Sequence, residues 1–252
     1  MTNLLERVNT MMTTNKKVNL KQFNTLLSIS ALMLASSQVQ AQNLTITVTN
    51  LTQGLHFTPL ITAAHPVDEH IFMAGTTATA ELQAMAEGGD ISSLATMLNN
   101  ADANINENPA SGLLAPGTST TYLLTNDNTN TQLSLTGMIL PSNDGFVGLD
   151  SWEIPTEAGT YTLMLNAYDA GTEANNELIN GGGAPGVLGI PAAPSGGSGT
   201  SGTGITSVEN NTMVHIHRGS IGDDDINGGK SDLNNSIHRW LNPIAKLTIT
   251  IQ

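Results

Sequence analysis

Residues 43–51, NLTITVTNL, set Leu44, Ile46 and Val48 two apart with threonines between them. Residues 246–251, KLTITI, repeat the device with Leu247, Ile249 and Ile251. A period of two sends every apolar side chain to one face of an extended strand and every threonine to the other. The β-branched residues reinforce this, because their restricted χ1 suits a pleated, half-buried surface. Two matching half-buried strands at opposite ends of the sequence predict a sheet in which first and last segments lie close together. Residues 118–125 (TSTTYLLT), 132–140 (QLSLTGMIL) and 160–168 (TYTLMLNAY) also read as strands, and 213–217 (MVHIH) as a shorter one. The NDNTN turn signal at 126–130 predicts a hairpin between the first two of these.

One stretch follows a different period. Leu82, Met85 and Ala86, then Ile91, Leu94, Met97 and Leu98, recur at helical spacing, with Gly88-Gly89 stopping the first helix and Asp90 placed to cap the second. The fold expected is therefore mainly β: an antiparallel β-sandwich with a short helical insertion around residues 78–99. Residues 181–204, GGGAPGVLGIPAAPSGGSGTSGTG, form a glycine-, proline- and serine-rich segment that reads as a flexible inserted loop with little to bury.

The N-terminus carries Lys16, Lys17 and Lys21, an apolar run from Leu26 to Ala35, and small residues at Val39 and Ala41. This order is that of a secretory signal peptide, cleaved after Ala41, with Met11 or Met12 as alternative starts that would shorten its basic region. The apolar run is too short to span a bilayer, and no later segment approaches membrane length. Residues 42–252 are expected to form one exported domain, extracellular, cell-surface or periplasmic. Removing residues 1–41 takes away four of eight basic residues and one of 21 acidic ones, leaving a formal charge of −16. Such an excess argues against nucleic acid and anionic membrane surfaces as direct partners and suits divalent cations. With no cysteine, the domain must stand on its core or on bound ions rather than disulfides.

The acidic residues of most interest are in YDAGTE, 168–173, where an alternating strand ends in two carboxylates divided by a glycine. Gly171 favours a turn, which would fold Asp169 and Glu173 towards each other and require something positive between them. A metal, an arginine and water are all compatible with the spacing. Calcium, a hard cation, takes six to eight oxygens, so a further carboxylate from a second loop is needed. Residues 141–152, PSNDGFVGLDSW, read as that loop, with Asp144 at its turn and Asp150 beyond it.

PSNDGFVG followed by YDAGTE resembles the paired motifs of the spondin N-terminal domain family (F-spondin-like), which run Pro-Ser-Pro-Asp-Trp, then Val-Gly, then Asp-Ala-Gly-Thr-Asp. LHFTPLITAAH (55–65), AMAEGGD (84–90) and NPIAKLTI (242–249) are similar to segments of bacterial proteins carrying this domain. The resemblance implies a β-sandwich like those of calcium-dependent lipid-binding domains, with Ca2+ held at one end by Asp144, Asp169 and Glu173. Asn143 and Gly145 replace the family's proline and tryptophan, Glu173 stands where animal members have aspartate, and their disulfides and thrombospondin-type repeats are missing.

Two other features compete. DDDINGGKSDLN places Asp223, Asp225 and Asn227 like the opening of an EF-hand, yet its twelfth position is Asn234 rather than a bidentate glutamate, and a glycine-bent solvated loop is the simpler reading. His215 and His217 share one side of a strand, as a zinc or copper site requires, with His65, His70 or His238 as a third ligand; surface or hydrogen-bonded core histidines are the commoner reading of such a pair. GGGAPG (181–186) matches a dinucleotide fingerprint only formally, since no helix follows. No nucleophile elbow, HExxH helix or P-loop is present. The function expected is a secreted, non-enzymatic, calcium-binding module in extracellular recognition or adhesion, with a protein or glycan partner. The alternatives are a metal-dependent hydrolase using His215 and His217, and a structural matrix component.

Overall fold

The computed structural model describes residues 42–126 and 129–252. The signal-peptide reading of residues 1–41 and the centre of the 126–130 turn lie outside the described residues. In order along the sequence the elements are β1 (Gln42–Asn50), β2 (His56–Phe57), β3 (Ile61–His65), α1 (Ala80–Gly88), α2 (Ser92–Asn100), β4 (Asn104–Glu107), β5 (Ser119–Asn126), β6 (Gln132–Leu140), β7 (Gly145–Glu153), β8 (Gly159–Asp169), β9 (His215–Ile216) and β10 (Ala245–Ile251).

The two terminal strands pair as their patterns require. β1 and β10 are antiparallel, with Ile46 opposite Ile249 and Thr47 opposite Thr248, so apolar rows stack on one face and threonines on the other. The whole sheet runs β4-β3-β6-β7-β8-β10-β1-β5, with β2 on β6 and β9 on β8. The mainly β, antiparallel architecture with two short helices is as expected, but its layers join into one nearly closed sheet. Its ends β4 and β5 approach where Asn106 Nδ2 donates to Leu123 O at 3.4 Å. Among the described residues, no helix is long and apolar enough to cross a membrane.

β8 makes the join. Its first half, residues 159–165, pairs with β10, and its second half, 166–169, pairs with β7. At the changeover, Asn242 substitutes for a strand partner: its Oδ1 accepts Ala167 N–H at 2.7 Å and its Nδ2 donates to Ala167 O at 3.4 Å. The backbone groups of a strand leaving one neighbour are thereby satisfied.

The apolar residues of β6 divide between two cores. Leu133, Leu135 and Ile139 face inward with Leu44, Ile46, Val147, Leu247 and Ile249. Met138 and Leu140 face outward, under a second cluster made with Phe146, Leu82, Met85, Leu94 and Leu98. The helices thus cover one half of the sheet's outer face, which is why β3 (ITAAH) is buried on both sides and shows no alternation. Thr79 caps α1 by accepting Leu82 N–H, and Gly89 ends it in the left-handed conformation at φ 71°. The N-cap of α2 is Ile91, which makes no side-chain cap, rather than the expected Asp90; Asp90 stands one residue earlier, its Oδ1 accepting Ser92 N–H at 2.9 Å.

Three other expectations need correction. β5 and β6 do not form a hairpin: β5 pairs with β1 while β6 pairs with β3 and β7. Residues 145–153 are strand β7 rather than loop, leaving Asp144 alone at the tight β6–β7 turn. The glycine-rich segment does bury something. Ile190 is fully enclosed, and Gly186, Gly189, Gly199, Gly202 and Gly204 all donate backbone hydrogen bonds to other segments.

Candidate metal centre

Strand pairing brings the two acidic motifs together. Gly145, the first residue of β7, lies opposite Asp169, the last of β8, so Asp144 and the 170–173 turn stand at one edge. Asp144 fastens the turn: its carbonyl accepts Ala170 N–H at 3.2 Å, and its Oδ2 accepts Thr172 N–H at 2.8 Å and Glu173 N–H at 3.1 Å. Its Oδ1 is buried without a hydrogen-bond partner. Asp169 accepts Gly171 N–H at Oδ1 (2.9 Å) and Asn175 Nδ2–H at Oδ2 (2.8 Å). Glu173 accepts Asn143 Nδ2–H (3.1 Å) and Gly189 N–H (3.0 Å) at Oε2, and its Oε1 is buried and unpartnered.

All three carboxylates are nearly or fully inaccessible, and among the described residues none is ion-paired to lysine or arginine. Burial pushes the Asp144 carboxyl up to about 7, with the neighbouring Asp169 charge adding to the effect. Glu173 is also pushed up to about 7, by burial and then by the charge of Glu87. Glu87 sits in the last turn of α1, fully buried, accepting Gln83 Nε2–H and Gly186 N–H. Among the described residues, no three His, Asp or Glu side chains are grouped to hold a metal ion as they now point. The arrangement is a convergent cluster of negative groups whose inner oxygens are turned to N–H donors, rather than a finished cage.

A family model described as Spondin_N matches residues 47–177. The protein belongs to the spondin N-terminal domain family. A comparison with curated proteins gave no match. The matched span of this spondin domain contains Asp144, Asp169 and Glu173 and stops before β9 and β10. β10 nonetheless sits between β1 and β8 in the sheet, so the structural unit extends beyond the match.

The other candidates fall differently. Asp150 is apart from the cluster, 3.0 Å from His70 Nδ1 and bonded to Ser151 Oγ. His65 lies between Pro66 O and Ser134 Oγ, and His238 Nδ1 accepts Asn234 N–H, so neither joins the β9 pair. His215 and His217 do reach Asp169, at 3.8 and 3.9 Å, but as proton-bearing edges. His215 Nδ1 donates to Met213 O, while His217 Nδ1 accepts Gly219 N–H, which puts the His217 proton on Nε2. Burial lowers His217 to about 4, keeping the ring neutral against Trp240, 4.9 Å away. In the 223–234 loop, Asp223 accepts the N–H groups of Asp225, Lys230 and Ser231, so the loop is organised by its own backbone.

Gly171 shows how closely the turn is made. Its φ is +70°, and a Cβ there would lie 2.6 Å from Thr212 C and 2.8 Å from Met213 N. Gly171→Ala is expected to cost about 2 kcal/mol or more in urea unfolding, from the left-handed backbone and the backbone clash together. A loss below the cost of an ordinary surface substitution would contradict this geometry. Sequence reasoning does not reach the partners Asn143, Asn175, Glu87 and Gly189. Asn143 alone leaves a trace, as the residue that departs from the family's proline beside Asp144.

Proposed function

We propose that this spondin domain is an exported, calcium-binding module of extracellular recognition or adhesion, with Asp144, Asp169 and Glu173 holding the ion. The observation that carries the reading is the pair of orphaned buried oxygens, Asp144 Oδ1 and Glu173 Oε1, in a cluster without a cationic partner among the described residues. Unpaired buried charge is costly, and a hard divalent cation with an all-oxygen preference fits this donor set. Bound calcium supplies the missing positive charge. The protein's own part is positional: Asn143 and Gly189 orient Glu173, Asn175 orients Asp169, and the Thr172 and Glu173 amides orient Asp144.

Thr212 and Met213 pack against Gly171 and β9 pairs with the end of β8, so Met213 and Ile216 are exposed beside the cluster. Apolar side chains displayed on loops that an ion would order suit a protein or glycan ligand. Isothermal titration of the chelator-treated protein with calcium tests the ion. One-site binding that Asp144→Asn removes is the expected outcome, and heats equal to dilution for the unmodified protein would sink the proposal.

A further inference from the structure

Two Asn-Gly pairs occur in the sequence, 180–181 and 227–228, and the fold treats them oppositely. Asn180 is engaged at both ends of its amide: Nδ2 donates to Leu188 O at 3.0 Å and Oδ1 accepts Gly182 N–H at 3.0 Å. The next backbone amide, Gly181 N–H, is also committed, donating to Ile190 O at 3.3 Å. Asn227 lies exposed in a turn, and among the described residues neither its side chain nor Gly228 N–H makes a hydrogen bond. Gly228 has no side chain to shield its nitrogen, and a Cβ placed there would meet only Asp225 Oδ2, at 3.6 Å.

We propose that Asn227 is a deamidation site and that its conversion releases the glycine-rich strap of residues 199–204. The Gly228 amide gives its proton to hydroxide, and its nitrogen attacks Asn227 Cγ. The new C–N bond closes a five-membered imide, the bond from Cγ to Nδ2 breaks, and ammonia departs with a proton from water. A second water opens the imide at either carbonyl, leaving aspartate or an isoaspartyl linkage. The balance is one water in and one ammonia out, with one negative charge gained. At Asn180 the same reaction is slowed, since the attacking nitrogen and the amide it must reach are both held.

The consequence follows from what surrounds Asn227. Thr200 N–H donates to Ile226 O at 3.1 Å, Thr203 N–H to Gly229 O at 3.3 Å, and Gly204 N–H to Lys230 O at 2.8 Å. Asp225 Oδ1 holds Asn227 N–H at 3.0 Å. An isoaspartyl linkage adds a carbon to the backbone between the carbonyls that the strap grips, so the two sets of bonds lose register. The segment set free, SGGSGTSGTG at 195–204, is small and polar, the composition that proteases cut once it is loose.

The whole protein, incubated at mildly alkaline pH and digested, tests both parts by mass spectrometry. The 219–230 peptide is expected to gain one mass unit roughly tenfold faster than the 178–209 peptide, with the two rates converging in urea, because native hydrogen bonds create the difference. Gly228→Ala is expected to slow the reaction at 227 about tenfold, a full 1.4 kcal/mol in barrier. Equal native rates at the two sites, or no change at 227, would overturn the site. Aged protein is expected to be nicked by subtilisin within 195–204 several times faster than fresh protein or the aged Gly228→Ala variant. Identical nicking would overturn the release of the strap.

Discussion

In chelator, Asp144 and Glu173 are expected to contribute less and less stability as the pH rises from about 4 to about 7, opposite in sign to the contribution of His217, which burial lowers to about 4. Asp144 and Glu173 are both pushed up to about 7 in the folded protein, from ordinary values of 3.8 and 4.5. Between those limits the folded state retains protons that the unfolded state has released. The stability they contribute is fully present below the ordinary carboxyl range and gone above about 7. Each retained proton sets a slope of up to about 1.4 kcal/mol per pH unit. Saturating calcium replaces the protons and should flatten the profile, and Asp144→Asn should flatten part of it without any metal. Urea midpoints collected across this range give the answer directly. An Asp144→Asn profile in chelator with the same slope as the unmodified protein through pH 5 and 6 would mean that Asp144 is not the buried, unpaired acid described above.

Calcium at about a hundred times its dissociation constant should raise stability by about 2.7 kcal/mol. For a domain of this size that corresponds to a melting temperature higher by about 5–11 °C at neutral pH. Asp144→Asn, Asp169→Asn and Glu173→Gln should each abolish most of the increase. The variants also separate ligand loss from simple damage. Asp144→Asn keeps an oxygen to accept from Thr172 and Glu173, and removes a charge that is buried beside Asp169. In chelator at pH 7 it should therefore melt no lower than the unmodified protein, while in calcium it should melt lower. A variant that lost stability equally in both buffers would point to a purely structural role for Asp144.

The strands with one wet face are legible in the sequence, and the reason is visible in the burial. β1 and β10 alternate strictly because their threonines face solvent while Leu44, Ile46, Leu247 and Ile249 face the core. β3 and β7 escape for two different reasons. β3 is covered on both faces, which erases the period, and β7 carries a bulge near Ser151, whose φ is +48°, inside a motif that reads as a turn. The turn signal at 126–130 suggests a β5–β6 hairpin that does not form, because adjacency in sequence cannot reveal that β5 takes β1 as its partner. Of the acidic cluster, Asp169 and Glu173 are legible as a glycine-split pair at a strand end, whereas the choice of Asp144 over Asp150 rests on motifs that resemble a family. Glu87 and Gly189 leave no signal, because a carboxylate in α1 and an amide in a glycine-rich loop meet only through tertiary folding.

The register of β8 has one more consequence. Gly159 lies opposite Ile251, and Ile251 opposite Leu44, so residues near both 42 and 252 share one pole of the sheet. β8 then climbs eleven residues to Asp169, a rise of roughly 33 Å at about 3.3 Å per residue. Asp169 and the turn after it thus stand at the opposite end of β8 from the edge where residues 44, 159 and 251 meet, like a lamp at the top of its post.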